Sequence, residues 1–246
     1  MKTTKIIARL AQLGVIASFA AATPSMQAIE LFEEDELGNI NQRNVGSFKS
    51  NRFGINKGIG EIEKRTKPLQ PYSTLKIEIP ADVEYHETGN ARVEIEAEKD
   101  AINKIQFHYS GNRLTIKTNG FATQSPVKLK LYGNDLQRVF VNSAADVALH
   151  DISVNDFLLS VRGSADVTAQ GRARGCQVNA QGANDLDLGQ LRCTDLTLTA
   201  QGSSDIVVSA AKSVKGRVQG AGDVEVLGNP ARRKLEALGA YDIDYR

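Results

Sequence analysis

The sequence predicts an all-β protein, a parallel β-helix (β-solenoid) with coils of about 19 residues. A turn of small residues that ends in Asp recurs six times, and the six aspartates are 20, 19, 20, 18 and 19 positions apart. A fixed period of this length is typical of a solenoid, because one repeat cannot bury its apolar face without a stacked neighbour. These aspartates, which we call the Asp ladder, are Asp146, Asp166, Asp185, Asp205, Asp223 and Asp242.

Apolar residues flank each turn at every second position, which predicts two short strands per repeat. Leu159 and Val161 precede the second turn, and Val167 and Ala169 follow it. This spacing gives each strand one buried face, and the β-branched content argues against a helical repeat. Three strands of four or five residues plus turns account for about 19 residues, so a parallel β-helix fits better than a leucine-rich or helical solenoid.

The first 28 residues predict a cleaved signal peptide. Three basic residues precede an apolar stretch at 10–22, and Ala28 suits the last position before cleavage, with Ala22 as the alternative. Removal of 1–28 leaves 27 Lys and Arg against 29 Asp and Glu, a formal charge of −2. The sequence therefore shows no clustered basic face, and it does not predict a nucleic-acid partner. We expect an exported protein, periplasmic or at the cell surface, with no transmembrane segment in the mature chain.

Residues 29–71 have an acidic start and a basic continuation rich in Gly and Asn, with little apolar periodicity. This composition predicts a flexible charged linker or an N-terminal cap. Residues 72–246 are predicted to form the β domain. Its first strands are expected at Leu75–Ile79, Val93–Ala97, Ile105–Tyr109, Leu114–Ile116 and Val127–Leu131, as less regular coils of the solenoid and its cap.

Several of these segments also carry a family resemblance. The run Leu75-Lys76-Ile77-Glu78-Ile79-Pro80-Ala81-Asp82-Val83, the segment Gly111-Asn112-Arg113-Leu114-Thr115-Ile116 and the recurring Gly-small-small-Asp-aliphatic turns resemble the auto-transporter adhesin head GIN domain family. The resemblance covers residues 70–246. It implies an exported bacterial protein of uncharacterised function with a right-handed parallel β-helix, and it offers no catalytic residue to transfer.

The Asp ladder is the strongest candidate for chemistry. Carboxylates stacked about 5 Å apart repel by roughly 0.8 kcal/mol per neighbouring pair even in water, so some interaction must offset the repulsion. We expect each carboxylate to accept backbone N–H groups of its own turn, as in Asx turns. The alternative is Ca²⁺ held between neighbouring carboxylates and carbonyls. The chain lacks the nine-residue Gly-rich repeat of calcium-binding β-rolls. No other metal or cofactor is predicted.

The sequence offers no recognisable catalytic constellation. His86, His108 and His150 are far apart, so their spacing predicts neither a zinc site nor a nucleophile–base pair. We expect each to be an exposed strand or turn residue. Parallel β-helices include polysaccharide lyases and hydrolases, which would use outward acids such as Asp187 or Glu225, but that is an argument by analogy. The chain is therefore predicted not to be an enzyme, with carbohydrate chemistry as the weaker alternative.

Cys176 and Cys193 are the two cysteines of the chain. They lie 6 and 9 residues before the turns that start at Gly182 and Gly202, in neighbouring coils but three residues out of register. Export permits a disulfide between them. A local slip of the loop would be needed to bring their Cα atoms within about 7 Å. The sequence does not decide whether the two cysteines are bonded or free. A disulfide would join two coils.

One column of outward side chains is the predicted ligand-binding surface. It contains the residue directly before the turn in four consecutive repeats: Arg162, Gln181, Gln201 and Gln219, called here the amide column. Regularly spaced amides bond to glycan hydroxyls or to one another. We therefore predict an exported binding or structural module of unknown protein or glycan ligand, with cell-surface adhesion as its role. The alternative is a periplasmic envelope-homeostasis protein that binds a protein partner.

The last coil leaves the oligomeric state of the protein open. Ile243 and Tyr245 continue the buried column almost to Arg246. An uncapped solenoid end exposes strand edges. The end therefore either stacks on a second copy or is covered by Ala231–Leu235 as a lid, and we expect a monomer or a weak dimer.

Overall fold

The computed structural model describes residues 60–120 and 125–246, which belong to the unit formed by residues 56–246. The predicted signal peptide at 1–28 and the segment 29–59 lie outside the described residues. Within the described part, the chain forms ten strands and one helix of four residues, α1 (Lys99–Ile102), so the predicted all-β class is confirmed. No helix in this part of the chain is long and apolar enough to cross a membrane.

The ten strands form one open sheet. Its path runs β1-β4-β7-β3-β9-β8-β2-β6-β5, and β10 pairs with β9 off this path. In chain order the strands are β1 (Ile62–Pro68), β2 (Thr74–Ile77), β3 (Asp82–Glu87), β4 (Arg92–Glu98), β5 (Ile105–Ser110), β6 (Arg113–Thr118), β7 (Lys128–Gly133), β8 (Arg138–Val141), β9 (Asp146–Leu227) and β10 (Arg232–Tyr245).

The N-terminal part of the sheet is partly antiparallel, which corrects the expectation of early parallel coils. Strand β4 pairs antiparallel with both β1 and β7, and β5 pairs antiparallel with β6. Only Gly111 and Asn112 separate β5 from β6, and Gly111 has a φ of 60°. A two-residue loop can only reverse the chain into a hairpin, whereas a parallel pair needs a long crossover. Strand β1 lies inside the segment predicted as a linker or cap.

The remaining pairings are parallel. Strand β2 lies between β6 and β8, so Leu75 is flanked by Leu114 and Val139. Strand β3 lies between β7 and β9 in the same way. Strand β10 runs parallel to the end of β9, with Asp242 opposite Asp223. Aliphatic side chains thereby lie beside aliphatic side chains on the buried face of the sheet.

Strand β9 is 82 residues long and contacts itself at intervals of 18 to 20 residues. Asn184 donates a hydrogen bond to Ser204, and Ser213 donates one to Asp195. A Cβ built on Gly182 would lie 2.0 Å from the carbonyl oxygen of Gly163. These contacts place each small-residue turn beside the turn of the neighbouring repeat.

The apolar core follows the period-two pattern of the sequence. Leu159, Val161, Val167 and Ala169 are all buried, as their spacing predicts. Burial weakens at β10, where Ile243 and Tyr245 are only partly buried and Leu238 is 47% exposed. The reason is that, within the described residues, β10 has a neighbouring strand on one side only.

The lid at Ala231–Leu235, one of the two alternatives for the end of the solenoid, is not formed. Its residues from Arg232 onward begin β10 and pair with Ser213–Gly216 of β9. Strand pairing gives their backbone N–H and C=O groups hydrogen-bond partners within the protein. In a lid across the end of the sheet, these groups would bond to water instead.

Candidate functional site

The Asp ladder lies on the surface, and all six of its carboxylates are exposed. Across the described chain, the hydrogen bond found at these carboxylates links two repeats: the backbone N–H of Asp223 donates to Oδ1 of Asp205 at 3.1 Å. The expected Asx turn within each repeat is not formed there. Four of the six turns lie within β9 and the last lies within β10, and backbone N–H groups of a strand commonly pair with a neighbouring strand.

The amide column is also exposed along its whole length. Gln219 lies opposite Leu238 of β10, which continues the column. In the described part of the chain, Arg162 and the three glutamines have neither a side-chain hydrogen bond nor an ion pair. Their polar groups therefore face solvent, and the mutual amide bonding that the sequence also allowed is not formed.

Cys176 and Cys193 form a disulfide with their Cα atoms 5.9 Å apart. Both residues are buried. The bond joins two positions 17 residues apart, one fewer than the shortest interval between turns. The three-residue offset seen in the sequence therefore does not prevent the bond.

A long groove of about 850 Å³ runs beside the disulfide. Arg138, Lys215 and Lys234 line it together with Asp156 and Asp195. Its other polar walls are Gln137, Gln177, Thr197, Ser213 and Arg232. Because concave surfaces with converging polar groups are where ligands bind most often, this groove is a second candidate surface.

Asp195 is held in place within the long groove. Ser213 Oγ donates to Asp195 Oδ1, and the Arg232 guanidinium lies 3.4 Å from the same oxygen. The hydrogen bond from Ser213, followed by the charges of Arg232 and Lys212, lowers the pKa of Asp195. The groove therefore keeps one fixed negative charge among its cations.

A cluster of polar side chains in direct contact with one another lies outside the long groove, on strands β7, β3 and β9. The register of these strands sets Tyr132, His86 and His150 directly opposite one another. The His86 ring stacks on Tyr132 with centroids 5.5 Å apart and on His150 with centroids 4.8 Å apart. Arg92 of β4 covers the far face of Tyr132, with its Cζ 3.6 Å from the ring centroid. Four side chains from four strands thus form one continuous stack.

Glu84 lies at the centre of this cluster. It precedes His86 by two residues on β3, so both side chains point to the same face of the sheet. His86 Nε2 donates to Glu84 Oε1 at 2.8 Å, and His150 Nε2 lies 3.7 Å from the same oxygen. Lys130 Nζ lies 3.0 Å from the other carboxylate oxygen, Oε2. The hydrogen bond from Lys130, with a smaller one from His86, lowers the pKa of Glu84.

Glu84, His86 and His150 are the part of the cluster that is suited to metal binding. Among the described residues they are a group of three potential ligands whose atoms all lie within 4.8 Å of one another. Gln170 lies behind His150, with its Nε2 2.7 Å from His150 Nδ1. Both histidine side chains are 29% exposed, so the cluster is partly shielded and still open to solvent. We call these four residues the imidazole cluster.

The imidazole cluster was not predicted from the sequence, in which the three histidines are far apart and were expected to be exposed strand or turn residues. Glu84 and His86 are two residues apart, and that spacing was a usable signal for one shared face. The pairing with His150 was not available, because β3 meets β9 only after five intervening strands of the chain. His108 lies apart on β5 and is exposed, as expected.

The family profile described as "Putative auto-transporter adhesin, head GIN domain" matches residues 71–230 of this sequence. The match spans well over half of the chain, so the protein belongs to this family. It covers most strands of the sheet and the whole imidazole cluster. No curated protein matches this sequence significantly.

The structure is also similar to several solved structures. A putative adhesin from Bacteroides fragilis NCTC 9343 aligns over 76% of this chain and 97% of its own, with a TM-score of 0.58 and 15% identity. A putative lipid binding protein from Parabacteroides distasonis ATCC 8503 aligns over 77% of this chain and 98% of its own, with a TM-score of 0.46 and 12% identity. The first likeness shows a shared fold.

Proposed function

We propose that β9 and β10 wind as coils of a right-handed parallel β-helix with about 19 residues per coil. A straight strand of 82 residues would span about 270 Å at roughly 3.3 Å per residue. Contacts of β9 with itself every 18 to 20 residues require it to turn back repeatedly. Right-handedness follows the general rule for parallel crossovers. Thr168→Cys with Asp187→Cys, one coil apart, would cross-link on oxidation if this winding is right.

The protein acts, in this proposal, as an exported, non-enzymatic binding module with a role in cell-surface adhesion. Membership in a family described as an adhesin head supports the role, and the predicted signal peptide at 1–28 supports export. The observation that carries the proposal is the amide column, a row of exposed polar side chains without partners in the described chain. Unpaired amides and a guanidinium, repeated at a regular spacing, suit an extended ligand rich in hydroxyl or carbonyl oxygens.

The test of the binding surface is a pair of double variants. Gln181→Ala with Gln201→Ala should leave folding intact and weaken binding of the purified protein to intact cells or to immobilised surface polysaccharide. Gln106→Ala with Gln190→Ala removes two amides outside the column and is the matched control. Equal binding by both double variants would refute the amide column as the contact surface. Loss of binding in Lys215→Ala with Lys234→Ala instead would assign it to the long groove.

The role at the cell surface is tested by location. Protease added to intact cells should digest the native protein if it is exposed to the medium. Protection until the outer membrane is permeabilised would contradict adhesion and favour the alternative, a periplasmic protein that serves the envelope through a protein partner. The weaker enzymatic alternative would require turnover on a polysaccharide panel, abolished by Asp187→Asn or Glu225→Gln.

A further inference from the structure

We propose that Glu84, His86 and His150 bind one divalent late-transition-metal ion, for which Zn²⁺ is the first probe. The sheet brings the three ligands together without a flexible loop. Glu84 and His86 share one face of β3, and the register of β3 with β9 fixes His150 opposite His86. A site built on paired strands is positioned more rigidly than a site built on loops.

The distances are close to those of a coordination sphere. Ligand atoms about 2.0–2.2 Å from a tetrahedral zinc ion lie roughly 3.4 Å from one another. Glu84 Oε1 is 2.8 Å from His86 Nε2 and 3.7 Å from His150 Nε2, on either side of that value. The two rings are nearly parallel, with planes 15° apart. Ion binding therefore needs a rotation of one ring about its Cβ–Cγ bond, and no movement of the strands.

Ion binding also requires the ring proton of each histidine to lie on Nδ1, because His86 Nε2 now donates to Glu84 and the Gln170 amide nitrogen faces His150 Nδ1. Lys130 engages Oε2 of Glu84 and leaves Oε1 directed at the two imidazoles. A half-turn of the Gln170 amide places its Oε1 at His150 Nδ1, where it accepts the Nδ1–H and frees the Nε2 lone pair. Such partners of metal-bound histidines typically change metal affinity about 10–100-fold when removed.

The ligand set also selects the kind of ion. Two imidazoles and one carboxylate suit Zn²⁺, Cu²⁺ or Ni²⁺, whereas Ca²⁺ and Mg²⁺ prefer oxygen ligands. Three protein ligands leave a fourth position of a tetrahedral ion to water or to a ligand oxygen. Glu84, Lys130 and His150 also line a shallow groove of about 540 Å³. An ion at the imidazole cluster would therefore be open to a molecule bound in that groove.

The experiment is a calorimetric titration of the protein with ZnCl₂ alone, in a buffer that does not chelate zinc. The protein carries no histidine tag, because its own three histidines must be the only ones present. We expect one saturable site per chain. His86→Ala and His150→Ala should each weaken binding at least about 10-fold, and Gln170→Ala should weaken it about 10-fold or more. His108→Ala is the matched control and should bind as the wild type does.

Two further measurements keep the result decisive. If either alanine variant fails to fold, Glu84→Gln replaces it, since this change keeps the size of the side chain and removes its negative charge. Titration with CuCl₂ identifies which ion is preferred, and the electron paramagnetic resonance spectrum of bound Cu²⁺ should show coupling to two nitrogen ligands. Absence of saturable binding by both ions overturns the proposal. Binding that survives His86→Ala, His150→Ala and Glu84→Gln overturns it as well.

Discussion

The backbone N–H of Asp223 donates a hydrogen bond to the carboxylate of Asp205, 18 residues earlier, across two neighbouring turns. The bond compensates in part for the repulsion between two members of the Asp ladder. It also connects repeats rather than residues of one turn. We therefore expect the carboxylates of the Asp ladder to differ in how much they stabilise the contact between repeats. Those that accept such a bond should contribute most.

The first prediction concerns this bond. Asp205→Ala should lower the free energy of unfolding by about 1 kcal/mol, since it removes a hydrogen-bond acceptor and leaves a backbone donor unpaired. Asp185→Ala is the control, because it relieves the same kind of repulsion and removes no hydrogen bond between turns. Urea denaturation of both variants checks the difference. Equal stability of the two would show that the bond contributes nothing.

The second prediction concerns the glycines that start the turns. Gly202 has a φ of 124°, and a Cβ there would lie 2.1 Å from the carbonyl oxygen of Gly182. Gly163 has nearly the same φ, 125°, but its Cβ would lie 3.3 Å from Ser143 O. Both alanine variants carry backbone strain of about 1–3 kcal/mol. Gly202→Ala must also displace a neighbouring backbone, so it should be the more destabilising of the two in thermal unfolding.

If Gly202→Ala and Gly163→Ala unfold at the same temperature, the close approach of neighbouring turns does not hold in solution. Ser203→Ala, at an exposed neighbouring position that already carries a Cβ, should unfold as the wild type does.

The third prediction concerns the disulfide. Reduction of the Cys176–Cys193 bond should lower the free energy of unfolding by about 3 kcal/mol, the value expected for a loop of roughly 15 residues. Reduction leaves both buried side chains in place, so it measures the cross-link without a packing change. Cys176→Ala with Cys193→Ala should be less stable again, because each replacement removes a buried sulfur atom. Denaturation curves with and without reductant that coincide would contradict this prediction.

The fourth prediction concerns alkaline pH. Burial, with a smaller contribution from Tyr85, raises the pKa of Tyr72 far above its usual value. The unfolded chain therefore ionises at this phenol from about pH 10, while the folded chain keeps it neutral. The stability contribution of Tyr72 is present below that pH and falls by about 1.4 kcal/mol per pH unit above it.

Tyr72→Phe tests this linkage. At pH 7 the variant should lose at most about 1 kcal/mol, because it lacks only the 3.4 Å hydrogen bond to the carbonyl of Tyr132. Between pH 10 and 11 its stability should decline less steeply than that of the wild type. Parallel declines in urea denaturation at the two pH values would rule out Tyr72 as a source of the alkaline loss.

Local patterns of this sequence predicted local structure well. Alternation around Leu159 and Val167 placed the buried face of β9, because a strand buries every second side chain whatever its partner is. The direction of pairing was harder to predict. The alternation of Val93, Ile95 and Ala97 is the same whether the strand pairs in parallel or antiparallel. In the structure, β4 is antiparallel to both of its neighbours.

The candidate site depended on information that no local pattern contains. The stack of His86 on His150 follows from the pairing of β3 with β9, two strands that are not consecutive in the chain. The expected turn caps of the Asp ladder failed for a related reason. The turn of Asp205 lies inside a strand, whose backbone commonly pairs with a neighbouring strand, and the sequence shows the turn but not its neighbour.

Among the residues that the structure describes, β10 pairs on one side only, and this has a consequence for the behaviour of the protein at high concentration. A free strand edge is a template on which further chains add, and long apolar edges of this kind seed fibrils. In β10, charged side chains interrupt that surface: Arg232, Arg233, Lys234, Glu236, Asp242 and Asp244. Arg233 also covers the ring of Tyr245, with its Cζ 4.5 Å from the centroid. The strand thus carries its own protection against edge-to-edge growth, and neutral substitutions along it are expected to promote aggregation.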